Sequence, residues 1–427
     1  MSQDQFSGPT QYILDDIKID NKGVRALFVS MSIYENIFIP AVTGEIMLLD
    51  TDGSGFMEKE GIEFLEDFTF TVRNANDEEL TFEGHLNGLR DETVKDSKRV
   101  YVIEFCSKVV RENEQSFVTK KFDNVQPEEI ISEMLDKKLK AENTNMMGQG
   151  KPMSFVGSRK KPLDVVKYVL THGIATGKNT PNAGFKETGK PQEDEVKGFT
   201  GFLCWETTKE FRFASIDEIL AGEVGEKHTE FKRQLQNRSL SMEQTMKGII
   251  DYEFPRLADN QSKLRSGAFK NTVISFDMDK GTYTEYTYED DKHMTEKQKK
   301  AFDRTSRVIS KPYLNERFSN ECEKEKENVG DQSREYLSQN CIRQNTFDDQ
   351  LGEFTLPPQL EMHAGDLIEV KLSKVESEKE GGYDEKHSGN YIIKGVAHHF
   401  FNDSEGYTRI STIRSTTQQD DATSQTS

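Results

Sequence analysis

The chain has 427 residues, of which 34% are hydrophobic and 31% are charged, and its formal net charge is −19. No apolar run reaches the roughly 18–20 residues that a membrane helix needs, and the N-terminus lacks the basic and apolar regions of a secretory signal. We therefore expect no stable membrane insertion. We also expect no specific nucleic-acid binding, because nucleic-acid backbones repel a protein this acidic.

The N-terminal region, which we place at residues 1–112, has the pattern of a β domain. Apolar residues recur at every second position in 27–33, and Phe68, Phe70 and Val72 alternate with threonines. Period two is what a strand with one buried face requires. Turn clusters such as that at 50–55 separate these runs. Several short strands divided by turns predict an antiparallel barrel or sandwich.

The next region, 113–232, is predicted to be mixed α/β. A helix begins at Pro127, because proline fits a first helical position, and its apolar stripe extends to Leu139. A second helix begins near Ser158 or Pro162 and ends at Gly173. A Gly/Pro/charge-rich loop follows at about 175–198. The segment GFLCWETTKEFRFASI after it reads as a two-stranded β element, with Trp205 as a core residue.

Three segments are predicted for the rest of the chain. Residues 233–343 form a mixed segment, with strands at Thr272–Phe276 and Tyr283–Tyr288 and a polar insertion at 291–340 whose helical periodicity is weak. Residues 344–415 form a second β domain. Residues 416–427 are polar and are predicted to be a disordered tail.

A weak internal repeat connects the two β regions. The strand–acidic loop–strand segment 80–105 is echoed by 390–413, and GEIMLLD near 44 matches GDLIEVKL near 365. This echo predicts two similar β domains that flank the α/β middle region.

None of the chemical motifs indicates an enzyme or a metal centre. Asp50, Asp52 and Ser54 match half of a calcium loop, but position twelve is Gly61 and a strand precedes the motif, so a β-turn is the better interpretation. His398 and His399 are adjacent on a strand and point to opposite faces, so they do not chelate one ion.

Nucleotide, acyl-transfer and disulfide chemistry lack their signatures as well. GIATGKN at 173–179 has the wrong spacing for a P-loop, and neither GxGxxG nor GxSxG occurs. The four cysteines form no CxxC pair and are too sparse for a disulfide framework: Cys106, Cys204, Cys322 and Cys341. We expect free thiols, folding in a reducing cytosol, no cofactor, no metal and no catalytic residues.

The order of these elements resembles a known family. The β domain, the helix PEEIISEML, the helix PLDVVKYVLTHG, the hairpin GFLCWETTKEFRFA, and the final strands GDLIEVKL and GNYIIKGVAHHFFNDSEGYTRIS occur in that order over roughly 12–415. This order is similar to that of the central baseplate hub proteins of contractile-tailed, T4-like bacteriophages. Their broader relatives are late-control tail proteins and the hub part of type VI secretion spike proteins.

The resemblance implies a fold, an assembly and a role. The fold is α+β and mainly β, with two tube-like antiparallel β-barrel domains around an α/β middle region. Three chains form a pseudo-hexameric ring, which adapts the sixfold tail tube above to a threefold spike below and forms part of the DNA channel. The implied partners are two further copies, a trimeric spike protein, a tail tube or tube-initiator protein, and wedge or tape-measure proteins.

The implied location is the baseplate of the virion, after synthesis in the host bacterial cytoplasm. Two alternatives stay open at this point. The first is the hub of a cellular contractile injection system, which has the same fold and mechanics. The second, from a different class, is a tail-associated cell-wall hydrolase that uses two of the 75 acidic residues.

Overall fold

The chain is mainly β, and half of its described strands lie in one large sheet. The computed structural model describes residues 6–51, 55–95, 98–177, 199–233, 240–255, 351–373 and 387–414. It also describes shorter pieces at 182–183, 186–187, 196–197, 261, 264–265, 267, 270–277, 281–289, 307–313 and 383–384.

Seven N-terminal strands make up what we name the first sheet module. They are β1 (Tyr12–Ile19), β2 (Lys22–Gly23), β3 (Phe28–Asn36), β4 (Thr43–Asp50), β5 (Asp67–Asn74), β6 (Glu79–Lys95) and β7 (Lys98–Ser107), with α1 (Phe56–Glu60) between β4 and β5. They pair antiparallel in the order β3–β4–β7–β6–β5–β1–β2. Their apolar faces enclose one core, in which Phe68, Phe70 and Val72 are buried as predicted.

Two details of this module differ from the prediction. A bulge in the β3–β4 pairing after Phe28 turns this residue to the core face, where simple alternation had placed Val29. Strand structure ends at Ser107, and Lys108–Gln115 forms a helix, so the predicted β region up to residue 112 is too long.

The middle region carries most of the helical structure. Its elements are α2 (Lys108–Gln115), β8 (Val118–Val125), α3 (Pro127–Ser132) with a π-helical continuation (Glu133–Leu139), β9 (Thr144–Met146), β10 (Met153–Lys160), α4 (Pro162–His172), β11 (Ile174–Ala175), β12 (Asn182–Ala183), β13 (Lys186–Glu187), β14 (Val196–Lys197), β15 (Phe199–Thr200), β16 (Phe202–Glu206), β17 (Phe211–Ser215) and α5 (Ile216–Leu220). Both predicted helices are confirmed, and each begins with a proline. The predicted hairpin is β16–β17, and α3 and α4 pack on it around a second core.

The remaining elements belong mostly to what we name the second sheet module. They are β18 (Lys227–Lys232), α6 (Met242–Met246), β19 (Asp251–Glu253), β20 (Lys270–Asp277), β21 (Thr282–Glu289), β22 (Arg307–Tyr313), β23 (Leu351–Leu356), β24 (Leu367–Lys371), β25 (Gly389–Phe401) and β26 (Gly406–Ile413). The module consists of β18, β19 and β23–β26 around a third core. Strands pair in the order β19–β23–β26–β25, and β24 pairs with both β25 and β18.

Strands β20, β21 and β22 form a separate sheet with β13. The predicted strands at Thr272–Phe276 and Tyr283–Tyr288 are confirmed as β20 and β21. Most of the predicted loop 175–198 and of the polar insertion 291–340 lies outside the described residues. The tail 416–427 lies wholly outside them.

The two modules meet edge to edge, because β3 pairs antiparallel with β25 and so joins the strands of both modules into one 13-stranded sheet. The predicted echo is confirmed in that both segments form antiparallel hairpins, β6–β7 and β25–β26. The acidic loop predicted in the first segment is wrong for residues 91–95, which continue β6. The match of β4 with β24 is wrong: β4 pairs with the second strand of its hairpin, whereas β24 pairs with the first.

Candidate functional site: the module joint and its buried polar junction

The pairing of β3 with β25, which we name the module joint, is continuous over seven residue pairs. It extends from Gly395 opposite Asn36 to Phe401 opposite Ser30. Ser32 Oγ lies 2.8 Å from His399 Nδ1 across the joint. Because main-chain pairing orients two strands far more tightly than loop contacts do, the joint fixes the modules side by side.

The two adjacent histidines lie on opposite faces of the sheet, as strand geometry predicts. His398 is buried and its Nδ1 lies 2.9 Å from Thr408 Oγ1. His399 is on the other face of the sheet, at the joint, beside Ser32 and Tyr34. Within the described residues, no group of three or more His, Cys, Asp or Glu side chains is placed to hold a metal ion.

A buried carboxylate at the end of β3 ties three parts of the chain together. Glu35 is 3% exposed. Thr208 N donates to it at 2.7 Å, Ala364 N donates to it at 3.0 Å, and His363 Nδ1 lies 3.2 Å away. Burial by itself raises the pKa of Glu35, but the His363 ring and the two amides outweigh this and lower the pKa to about 2. Glu35 is therefore a charged anchor among the first module, the middle region and the second module.

A second buried ion pair lies next to it. Arg212 on β17 and Asp366 before β24 have side chains 2% and 0% exposed, with Nη1 and Oδ1 2.7 Å apart. Arg212 Nε also donates to Glu210 at 2.9 Å, and His228 Nε2 lies 2.9 Å from Asp366 Oδ2. Each charge therefore has more than one partner, which a buried ion pair needs to offset its lost hydration.

Trp205 completes the junction from the apolar side. It is fully buried, as the sequence predicted, and its Nε1 donates to Ala364 O at 2.8 Å. Gly365 lies against the ring with φ +92°, and a Cβ at this position would come within 2.5 Å of it. Only glycine fits both the conformation and the space, so the carbonyl of Ala364 stays aimed at the indole.

Glu206 connects the hairpin β16–β17 to the first module. It accepts hydrogen bonds from Val42 N at 3.0 Å and from Ser107 Oγ. No positive side chain is a partner in these contacts, and burial raises the pKa of Glu206 to about 7.

A pH dependence follows from the pKa of Glu206. Its value rises from 4.5 to about 7 on folding, so the folded state holds the proton more tightly than the unfolded chain. The cost of ionising Glu206 is absent below pH 4.5, grows between pH 4.5 and 7, and reaches about 3 kcal/mol above that. We expect Glu206→Gln to remove this loss of stability, as measured by urea unfolding from pH 5 to 8. Equal pH slopes for both proteins would contradict the assignment.

The polar groups of this junction hold the two modules and the middle region together. The carboxylates of Glu35 and Asp366 are buried and already accept hydrogen bonds from main-chain amides. Thr208 Oγ1 donates to Glu35 and lies 3.5 Å from His363 Nδ1, but His363 is itself buried. A hydrolase needs such groups at a surface that substrate can reach.

The remaining sequence candidates fall elsewhere. Asp50 accepts hydrogen bonds from Gly55 N and Phe56 N, as in a turn, while residues 52–54 of the calcium motif lie outside the described residues. Cys106 and Cys204 are buried free thiols. None of the helices among the described residues is both long and apolar enough to span a membrane.

Sequence reasoning missed the junction residues, although one of them carried a signal. Met31, Ile33 and Glu35 continue a single period-two face of β3, so a carboxylate stands at a core position. A charge on a buried face demands a partner. The partner is His363, which lies 328 residues away in the sequence, and no local pattern indicates it.

Comparison with solved structures places this architecture among phage tail proteins. A tail protein from Neisseria meningitidis MC58 matches with a TM-score of 0.52 and 8% identity, over 95% of this chain and 97% of that one. The 43 kDa tail protein of prophage MuSo2 from Shewanella oneidensis matches with a TM-score of 0.54 and 11% identity, over 95% and 98%. The chain has the fold of phage tail proteins. The predicted family resemblance is thus confirmed at the level of the fold.

A third solved structure has a lower TM-score with this chain. A component of the Escherichia coli type VI secretion system has a TM-score of 0.42 and 9% identity, over 95% of this chain and 76% of that one. No family model matches the chain, and no curated protein matches its sequence.

Proposed function

We propose that this chain is the central hub of a contractile phage baseplate and that three copies form a ring of six sheet modules. The observation that carries the proposal is the module joint, which sets two modules of matching strand order side by side in one chain. A chain with two such modules can meet a sixfold neighbour with three copies and a threefold neighbour with the same three copies.

The polar junction supports this role mechanically. Its charges come from both modules and from the middle region, and four of the charged groups are buried: Glu35, Arg212, His363 and Asp366. Breaking such a network leaves unpaired buried charge, which costs several kcal/mol. A hub that transmits force from tube to spike needs the two modules to keep one relative orientation, and the junction supplies that rigidity.

The proposed organisation follows the sheet modules and not the sequence-derived boundaries. The first sheet module up to Ser107 and the second sheet module supply the two tube-like domains, and the middle region from α2 to α5 supplies the middle domain. The proposed partners are two further copies of the chain, a trimeric spike below, the tail tube or its initiator above, and wedge or tape-measure proteins. The proposed location is the virion baseplate, and we assign no enzymatic activity.

The first test of this proposal is the oligomeric state. We expect three copies of the chain to associate, either in the purified protein alone or when its spike is present, because the modules are completed only in a ring. Multi-angle light scattering at micromolar concentration measures this mass. A chain that stays monomeric in the presence of the spike would contradict the proposal.

A second test concerns the channel. We propose that acidic residues line it, because a conduit for DNA must not bind DNA and the net charge of −19 provides the repulsion. We expect no measurable binding of duplex DNA at 150 mM salt in a filter-binding assay. A sub-micromolar affinity that falls steeply with added salt would contradict this part of the proposal.

A further inference from the structure

The two modules repeat one strand order. The first module has β5–β6–β7–β4–β3 and the second has β24–β25–β26–β23–β19, with every neighbouring pair antiparallel. In this correspondence β6 is the counterpart of β25, and β19 is the counterpart of β3.

Details of the hydrogen bonding fix the correspondence at residue level. Leu86 N donates to Glu66 O at 3.0 Å, and Ile393 N donates to Asp366 O at 2.8 Å. A bulge follows each of these residues and ends at a glycine, Gly88 or Gly395. The sequences Leu-Asn-Gly-Leu in β6 and Ile-Lys-Gly-Val in β25 therefore occupy the same place. Likewise Gly44-Glu45 in β4 corresponds to Gly352-Glu353 in β23.

Strands β6 and β25, which are counterparts, differ along one edge. The edge of β25 that faces away from β26 pairs with β24 over Gly389–Ile392 and then with β3 over Gly395–Phe401. The matching edge of β6 pairs with β5 over Glu79–His85. Beyond Leu86, within the described residues, no strand pairs with this edge up to Lys95.

Side-chain exposure marks the same difference. At the module joint, Val396 and Phe400 are 2% and 0% exposed. Their counterparts on β6 are Leu89 and Val94, by the pairing of each strand with β7 or β26, and these are 38% and 63% exposed. An unpaired edge with exposed apolar residues on its core side is a template for another strand.

The strand that fits this template is β19. It pairs with β23 as β3 pairs with β4, and in the described part of the chain it ends the sheet, with its other edge unpaired. β3 and β19 are the same edge of the two modules, and the structure shows what this edge does at the joint: it adds to β25.

We propose that β19 of one copy adds to the free edge of β6 in the next copy, so that the module joint is repeated between chains. This rests on the proposed ring and names the surfaces that close it. Each contact is head to tail, which generates a ring when the rotation closes.

The register of the new joint follows from that of the module joint. Ser30, Met31 and Ser32 pair with Phe401, Phe400 and His399. Their counterparts put Asp251 opposite Lys95, Tyr252 opposite Val94, and Glu253 opposite Thr93. This register pairs an acid with a base and covers the most exposed apolar side chain of β6 with an aromatic ring, two favourable cross-strand pairs.

Disulfide cross-linking tests this register. Directly opposed residues in antiparallel strands have Cα atoms roughly 4.5–5.5 Å apart, which is within disulfide range. We expect the variant Lys95→Cys/Asp251→Cys to form bonds between chains under mild oxidation, seen as two- and three-chain bands on non-reducing gels. The background carries Cys322→Ser and Cys341→Ser.

The matched control is Asp91→Cys/Asp251→Cys, because Asp91 lies on the same exposed arm but about 13 Å further along the strand. We expect at least tenfold less cross-linked product from it. Light scattering on both variants separates the two levels of the proposal. A trimer in which the first pair cross-links no better than the control would overturn the β19–β6 contact and leave the ring intact. A chain that stays monomeric even in the presence of the spike would overturn the ring and this contact with it.

Charge exchange gives an independent readout. Lys95→Glu places like charges opposite each other, so we expect the concentration at which trimers dissociate to rise about fivefold or more over three contacts. Adding Asp251→Lys restores opposite charges and should return the dissociation concentration towards that of the wild type. Equal values for all three proteins would contradict the register.

Discussion

Arg212→Met is expected to lower the free energy of unfolding by about 3–5 kcal/mol, because it leaves the carboxylate of Asp366 buried without its main counter-charge. The two side chains are 2% and 0% exposed and 2.7 Å apart. His228 and the amides of Glu226 and His363 stay as partners of Asp366, but they do not replace a full guanidinium charge. Urea unfolding followed by circular dichroism measures the loss.

The matched control for this prediction is Arg409→Met. Arg409 also pairs with a carboxylate, that of Glu353, but its side chain is 54% exposed. Exposed ion pairs contribute about 0–1 kcal/mol, so we expect a change within that range. A loss for Arg212→Met no larger than that of the control would show that the junction does not hold the modules together.

Phe400→Ala is expected to cost about 3–5 kcal/mol, since it removes a large ring from a close-packed core and leaves a cavity. Phe400 is fully buried on β25 beneath the module joint, and its ring centre lies 4.8 Å from that of Tyr12 in the first module. The side chain therefore belongs to the second module by sequence and to the core of the first by contact.

The adjacent residue provides the control. Phe401 is 37% exposed on the opposite face of the same strand, and we expect Phe401→Ala to cost less than about 1 kcal/mol. The same unfolding measurement serves both variants. A similar cost at the two positions would contradict the proposed packing across the joint.

Local features of this fold could be predicted from the sequence where a single element decides them. Pro127 and Pro162 mark the starts of helices because a first-turn proline loses no hydrogen bond. The spacing of Phe68, Phe70 and Val72 predicts the buried face of β5, because successive side chains of a strand point to opposite faces. The confirmed hairpin echo also rests on local pattern.

Other features depend on contacts that no local window contains. The bulge after Phe28 shifts the face of β3 by one residue, and only the pairing with β4 imposes it. GEIMLLD resembles GDLIEVKL because each combines a glycine–acid pair with a short amphipathic strand, so the resemblance reflects strand type and not position in the sheet. The charge of Glu35 shows that a partner must exist, but the fold alone brings His363 to it.

A hub of this kind requires the two modules to lie side by side around a channel, and an image of the assembly shows whether they do. We expect class averages from electron microscopy, viewed down the axis, to show a ring of six similar densities with threefold symmetry and an open centre. A particle with two densities stacked along the axis, or one with no central opening, would contradict it.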